Sequence, residues 1–127
     1  MPRQSIEIDT FAHLNPIPAA TRIGPLVVSS IIPAFDAGTR NLPESIDEQL
    51  DNLFGHIGKM LEGARAAWGD VAKVTFYVSD IEVRDAINRP WVEHFPDESS
   101  RPSRYTQLTS SGGRPSVSCE FIAYVEE

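Results

Sequence analysis

The 127-residue sequence has little of what a membrane protein, a disulfide-stabilised protein or a nucleic-acid-binding protein requires. It contains one cysteine, Cys119, so no disulfide can close within the chain and nothing in it calls for an oxidising compartment. No stretch approaches the ~20 apolar residues that span a bilayer, and Met1-Pro2-Arg3-Gln4-Ser5-Ile6-Glu7 lacks the apolar run of a signal peptide. The expected location is the cytoplasm, with no membrane partner. Basic residues are few, 11 Lys and Arg against 18 Asp and Glu for a formal charge of −7, and they are scattered singly from Arg3 to Arg114. A chain of that sign repels a phosphate backbone and has no cluster able to release several counterions together, so nucleic acid is not an expected partner. His13, His56 and His94 lie far apart and match no zinc spacing, which implies no metal site and leaves each a surface or capping role. There is no P-loop, dinucleotide fingerprint or Ser-His-Asp arrangement to imply a cofactor or an activated serine, and Gly112-Gly113 reads as part of a turn.

What is present suits one globular domain over 1–127, with 41% hydrophobic and 23% charged residues. From Ile6 to Pro33, apolar runs broken by Pro16, Pro18, Gly24 and Pro25 read as short strands and turns. Leu26 to Ile32 is apolar on both parities, as in a strand covered on both faces. Ser45, with Glu48 three residues on, forms a capping-box start for a helix. Ile46, Leu50, Leu53, Phe54, Ile57, Met60, Leu61 and Ala64 then follow at spacings of three and four, an apolar stripe that packs on a sheet. Gly55 and Gly58 within it point to close approach by a strand. Val71 to Val78 is a strand rich in β-branched and aromatic residues, and Glu82 to Phe95 a second helix that Pro90 should kink. Strands near Ser103 to Leu108 and Ser116 to Val125, joined by a turn at Ser110 to Gly113, complete an α+β order with two helices on one face of a mixed sheet. The other face needs cover, most simply from further copies of the chain.

Strand periodicity sets Arg104, Thr106 and Leu108 on one face, and Ser118, Glu120 and Ile122 on one face of the next strand. A cation, a hydroxyl and a carboxylate could converge there. The same pattern also suits an ordinary cross-strand ion pair. Cys119, on the parity of Val117 and Phe121, reads as a small core residue rather than a nucleophile.

Four local patterns, in order and over nearly the whole chain, resemble the reactive intermediate deaminase (Rid, or YjgF) family. Leu26-Val27-Val28-Ser29-Ser30-Ile31-Ile32-Pro33 is similar to its Val-Ser-Gly-Gln-Ile-Pro strand. Gln49 and Asn52-Leu53 precede Gly69-Asp70-Val71-Ala72-Lys73-Val74-Thr75-Phe76-Tyr77-Val78-Ser79-Asp80, which resembles its Asp-Val-Val-Lys-Val-Thr-Val-Tyr-Leu-Thr-Asp segment. Ile87-Asn88 with His94-Phe95-Pro96 matches the end of its second helix. Arg101-Pro102-Ser103-Arg104 resembles Arg-Pro-Ala-Arg, and Glu120 stands in the last strand's Val-Glu-Ile-Glu.

The resemblance implies a chorismate-mutase-like (YjgF-like) fold, a homotrimer whose sheets form a central barrel, and cofactor-free active sites between copies. It implies that Arg104 holds the carboxylate of a small imine or its keto acid, and that Glu120 orients the water that releases ammonia. It places Asn88, Ile87, Thr106, Ser30, Ile31 and Ile17 at the substrate. Arg offers a carboxylate a rigid fork that Lys lacks, and a carboxylate can serve as general base. The chain departs from the pattern at that pocket: Ile17 stands for a Tyr, Ser30-Ile31 for Gly-Gln and Thr106 for a frequent Cys. A reshaped, more apolar pocket leaves open an aminomuconate-type deaminase of aromatic breakdown, or a keto-acid-binding regulator without turnover. The ribonuclease label carried by some relatives is opposed by the charge.

Overall fold

A computed structural model describes residues 2–109 and 114–126; the expected turn at Ser110 to Gly113 lies outside the described residues. The order is β1 (Gln4–Ile6), β2 (Ala20–Ile23), β3 (Leu26–Ser29), β4 (Ile32–Pro33), α1 (Ile46–Gly63), a 3₁₀ turn (Trp68–Asp70), β5 (Val71–Val78), α2 (Ile81–Ala86), α3 (Asn88–His94), β6 (Ser103–Leu108) and β7 (Val117–Tyr124). The strands form one mixed sheet in the order β1-β2-β3-β7-β5-β6, with β4 also on β7. Among the described residues only β5 and β6 run parallel, as a helical crossover through α2 and α3 requires.

The α1 stripe is buried as its spacing predicts: Leu50, Leu53, Ile57 and Met60 are wholly buried, each contributing ~1.5–3 kcal/mol from transfer out of water. They pack with Val74, Phe76 and Val78 of β5 and with Val117, Cys119, Phe121 and Ala123 of β7, which alternate toward the helices. Cys119 is a core residue, and burial raises its thiol pKa. Ser45 Oγ accepts from the Glu48 amide at 3.3 Å, the first arm of the expected capping box. Buried Gln49 fastens this helix to β7: its amide donates to Pro43 O at 2.8 Å and Pro115 O at 3.0 Å, while its Oε1 accepts from Val117 N at 3.1 Å.

Several expectations change. The run from Leu26 to Ile32 is two strands, β3 and β4, and β3 is covered on one face only, since Leu26 is 38% exposed while Val27 is fully buried. The second helix is divided at Ile87, because Pro90 has no N–H for Ala86 O and its ring crowds that carbonyl; Pro90 then sits in the first turn of α3, where no donor is needed. A Cβ at Gly55 would face open space and one at Gly58 would meet the Trp68 ring at an ordinary 3.5 Å, so neither marks approach by a strand. His56 is not at the surface. It is 1% exposed, with Nε2 2.8 Å from Phe35 O and Nδ1 2.9 Å from Thr10 Oγ1. The carbonyl needs a donor, so Nε2 carries the proton and Nδ1 accepts from the threonine hydroxyl. Burial holds the His56 pKa below its ordinary value. His94 does act as a cap, with Nδ1 2.8 Å from Pro90 O, and stacks on Phe54.

Candidate active site

The face of the sheet turned away from the helices carries Lys73, Thr75 and Tyr77 of β5 and Ser118, Glu120 and Ile122 of β7, with Glu120 opposite Thr75. Tyr77 Oη donates to Glu120 Oε1. That bond, then burial, then the Glu120 charge raise the tyrosine pKa. A cavity of about 190 Å³ lined by Lys73, Thr75, Glu120 and Ile122 opens beside the carboxylate.

The interruption between β3 and β4 brings further residues to this point. Val28 pairs with Ile122 and Ile32 with Cys119, so Ser29, Ser30 and Ile31 face only Glu120 and Phe121 across the ladder. Such an interruption of the ladder re-aims side chains, and it falls at Ser30 and Ile31, opposite the stretch of β7 that holds Glu120. It is fixed by the Phe121 amide donating to Ser29 Oγ at 2.9 Å. Ser30 N donates to Ala19 O at 3.0 Å and Ser30 Oγ to Pro18 O at 2.7 Å, which ties in the loop bearing Ile17. Ile17 is 46% exposed and borders a groove of about 470 Å³ with Glu7, His13 and Asn15.

Arg104 and Thr106 form a second group. In the parallel register they sit beside Val74 and Phe76, whose side chains turn toward the helices. The Arg104 guanidinium lies 5.2 Å from the Trp91 ring centroid, and its Nη2 donates to Arg84 O at 3.4 Å. Burial, then the nearby Arg84 charge, lower its pKa from a very high ordinary value, against a smaller opposing pull from Asp85. Asn88, exposed, opens α3. Ile87 is wholly buried, so its side chain presents no surface to a ligand in one copy.

The expected convergence of Arg104 with Glu120 does not occur within one chain. β5 lies between β6 and β7, so the two strands are not neighbours. Along β5, Arg104 is level with Val74 and Glu120 with Thr75, one residue apart, and a period of two sends them to opposite faces. The cross-strand ion pair fails for the same reason, and neither residue has an ion pair among the described residues. Thr106 shares a strand face with Arg104, Ser30 is tied to the loop that bears Ile17, and Ile17 borders a groove that does not include Glu120. Sequence reasoning missed Tyr77 and Trp91. Tyr77 had a signal, a hydroxyl on the parity opposite Val74, Phe76 and Val78; Trp91 had none, being read as helix core.

A mixed sheet with helices on one face, and polar groups on both faces, defines an α+β protein of the layered class. The sequence profile of the family described as Endoribonuclease L-PSP matches residues 4–120, and the chain belongs to that family, the Rid family, as a divergent member. It is 32% identical over 68 residues to a RutC family protein of Aquifex aeolicus, covering 54% of each chain. It is 24% identical over 95 residues to the chloroplastic Reactive Intermediate Deaminase A of Arabidopsis thaliana, covering 74% of this chain and 51% of that one. The matches thus span about half the length of these curated relatives. The fold superposes on the crystal structure of RidA from an Antarctic Psychrobacter with a TM-score of 0.85 and 25% identity, covering 96% of this chain and 99% of that one. Among the described residues no helix is long and apolar enough to cross a membrane.

Proposed function

We propose that the protein is a hydrolytic deaminase of small imines or enamines bearing a carboxylate, working as a homotrimer in which Arg104 of one copy and Glu120 of a neighbouring copy complete each site. The observation that carries this reading is the state of the two residues: a half-buried guanidinium over Trp91 that has no ion pair among the described residues and feels only a weaker pull from Asp85, and a carboxylate held by Tyr77 on the other face. A cation taken partly out of water without a counter-ion is costly, and a substrate carboxylate in two-pronged contact offsets that cost. The open sheet face supports the assembly. Ile23, Leu26, Tyr105, Ile122 and Tyr124 lie on it, from 38% to 58% exposed, an apolar patch suited to burial against other copies.

The reaction needs no cofactor. Glu120 takes a proton from a water as its oxygen bonds to the imine carbon, and the C=N pair moves to nitrogen. The proton passes to that nitrogen, giving a carbinolamine; Glu120 then takes the proton of the new hydroxyl and hands it to the amine as the C–N bond breaks, so that ketone and ammonia leave with Glu120 ionised again. A keto-acid-binding protein without turnover is the second reading, favoured by Ser30, whose hydroxyl is engaged with Pro18 O, and by Ile17, which has no hydroxyl to offer.

The test is imine hydrolysis, the imine made in situ by a coupled enzyme, beside keto-acid titration. Glu120→Gln should lower kcat by ~10²–10⁴-fold, the usual scale for general acid–base help, with keto-acid binding retained. Arg104→Lys should weaken binding by ~1.5–3 kcal/mol, the range for a charged hydrogen bond. Keto-acid binding by a wild type that turns over no imine would favour the second reading.

A further inference from the structure

We propose that Tyr77 is a positioning residue for this reaction: its hydroxyl holds one oxygen of the Glu120 carboxylate, so that the other is aimed at the water. The inference rests on the proposed role of Glu120 and goes beyond it. Tyr77 Oη meets Glu120 Oε1 from two residues along β5, since Glu120 is level with Thr75 and Tyr77 with Ser118. The contact is therefore a diagonal one between neighbouring strands, fixed by an antiparallel register that runs on to Val78 and Val117. A glutamate side chain has three rotatable bonds and, unsupported on an open sheet face, would sample several rotamers. One donor from a rigid ring removes most of that freedom, and positioned groups of this kind matter because small misplacement slows a reaction strongly. The choice of oxygen matters too. A carboxylate with Oε1 engaged has Oε2 left to accept a proton, and Glu120 lines a cavity together with Lys73, Thr75 and Ile122.

The hydroxyl has no second partner among the described residues, and the neighbouring phenol, that of Tyr105, is turned to Gln107 Oε1 at 2.9 Å. Tyr77 is thus committed to Glu120. A merely structural tyrosine would be served as well by phenylalanine, whereas the positioning role lies wholly in the hydroxyl.

The experiment compares wild type, Tyr77→Phe, Glu120→Gln and the double variant in imine turnover, keto-acid binding and melting temperature. Tyr77→Phe should lower kcat about 5- to 30-fold, within the effect of Glu120 itself, while keto-acid affinity stays within about twofold. The double variant should be no slower than Glu120→Gln alone, since a positioning group has nothing left to act through. Wild-type kcat in Tyr77→Phe, with Glu120→Gln impaired, would overturn the inference and leave the proposed reaction standing; so would losses that multiply in the double variant. Wild-type turnover in Glu120→Gln would overturn the reaction scheme itself. A readout independent of activity and of the Phe variant's folding is alkaline titration of the three tyrosines by tyrosinate absorbance. One should titrate above its ordinary range in wild type and fall back in Glu120→Gln; an unchanged titration would count against the contact in solution.

Discussion

Because Arg104 and Glu120 leave opposite faces of one sheet, the divided site makes a quantitative prediction about mixed assemblies. Arg104→Lys and Glu120→Gln chains, each assembled alone, should be impaired in every cleft. At substrate concentrations below KM the first should retain at most about a tenth of wild-type turnover, from a loss of at least ~1.5 kcal/mol in carboxylate binding, and the second about a hundredth or less. When equal amounts are unfolded, mixed and refolded, or co-expressed, each cleft draws its arginine from one copy and its carboxylate from another. Random assembly makes both intact in about one quarter of the clefts, so activity should rise to about one quarter of wild type, well above either parent. The converse mixture sharpens the test. Wild type mixed with the double variant should retain about one quarter of the clefts if the site lies between copies, but about one half if it lies within one. Turnover is read by ammonia release with the imine generated in situ, and assembly mass by light scattering. A mixture of single variants that stays at the mean of its separately assembled parents, with mixed oligomers verified by mass, would refute the idea of a site shared between copies.

Two further outcomes follow from individual residues. Burial depresses the His56 pKa, so its neutral form is favoured by folding; the stability it contributes is fully present above the unfolded value near 6.5 and is lost as pH falls through the lower folded value. Denaturant unfolding of wild type and His56→Gln should therefore differ by an amount that shrinks as pH drops below ~6.5, and a difference independent of pH would refute this. Ile122→Asp puts a charge at the centre of the open face, where burial against another copy would cost several kcal/mol, so it should shift the assembly toward monomers and abolish turnover; unchanged mass and rate would mean that this face is not the interface.

The parts legible in the sequence were those set by local rules. The strand at Val71 to Val78 and the stripe of α1 stand where their periodicity puts them, because a period of two or near four is a property of consecutive residues. Pro90 gave its warning too, and the helix divides one turn before it. His56 was misplaced because its two partners, Thr10 and Phe35, come from loops 46 and 21 residues away, and no pattern near His56 announces them.

The candidate site shows where local rules stop. Periodicity groups Arg104 with Thr106, and Glu120 with Ser118, correctly within each strand. It cannot say which parity of one strand shares a face with which parity of another, since that depends on strand order and register. Here β5 separates β6 from β7, and the single-residue offset between Val74 and Thr75 is enough to send cation and carboxylate to opposite sides. The residues that match the family's pattern are therefore divided between two faces of a sheet, and one sheet cannot bring them together without breaking its ladder. Only a second copy, presenting the other face, can do so. The proposed reaction, which needs both groups at one carbon, would thus make assembly part of the active site, and the apolar residues around Ile122 and Tyr124 would be as necessary to it as the arginine.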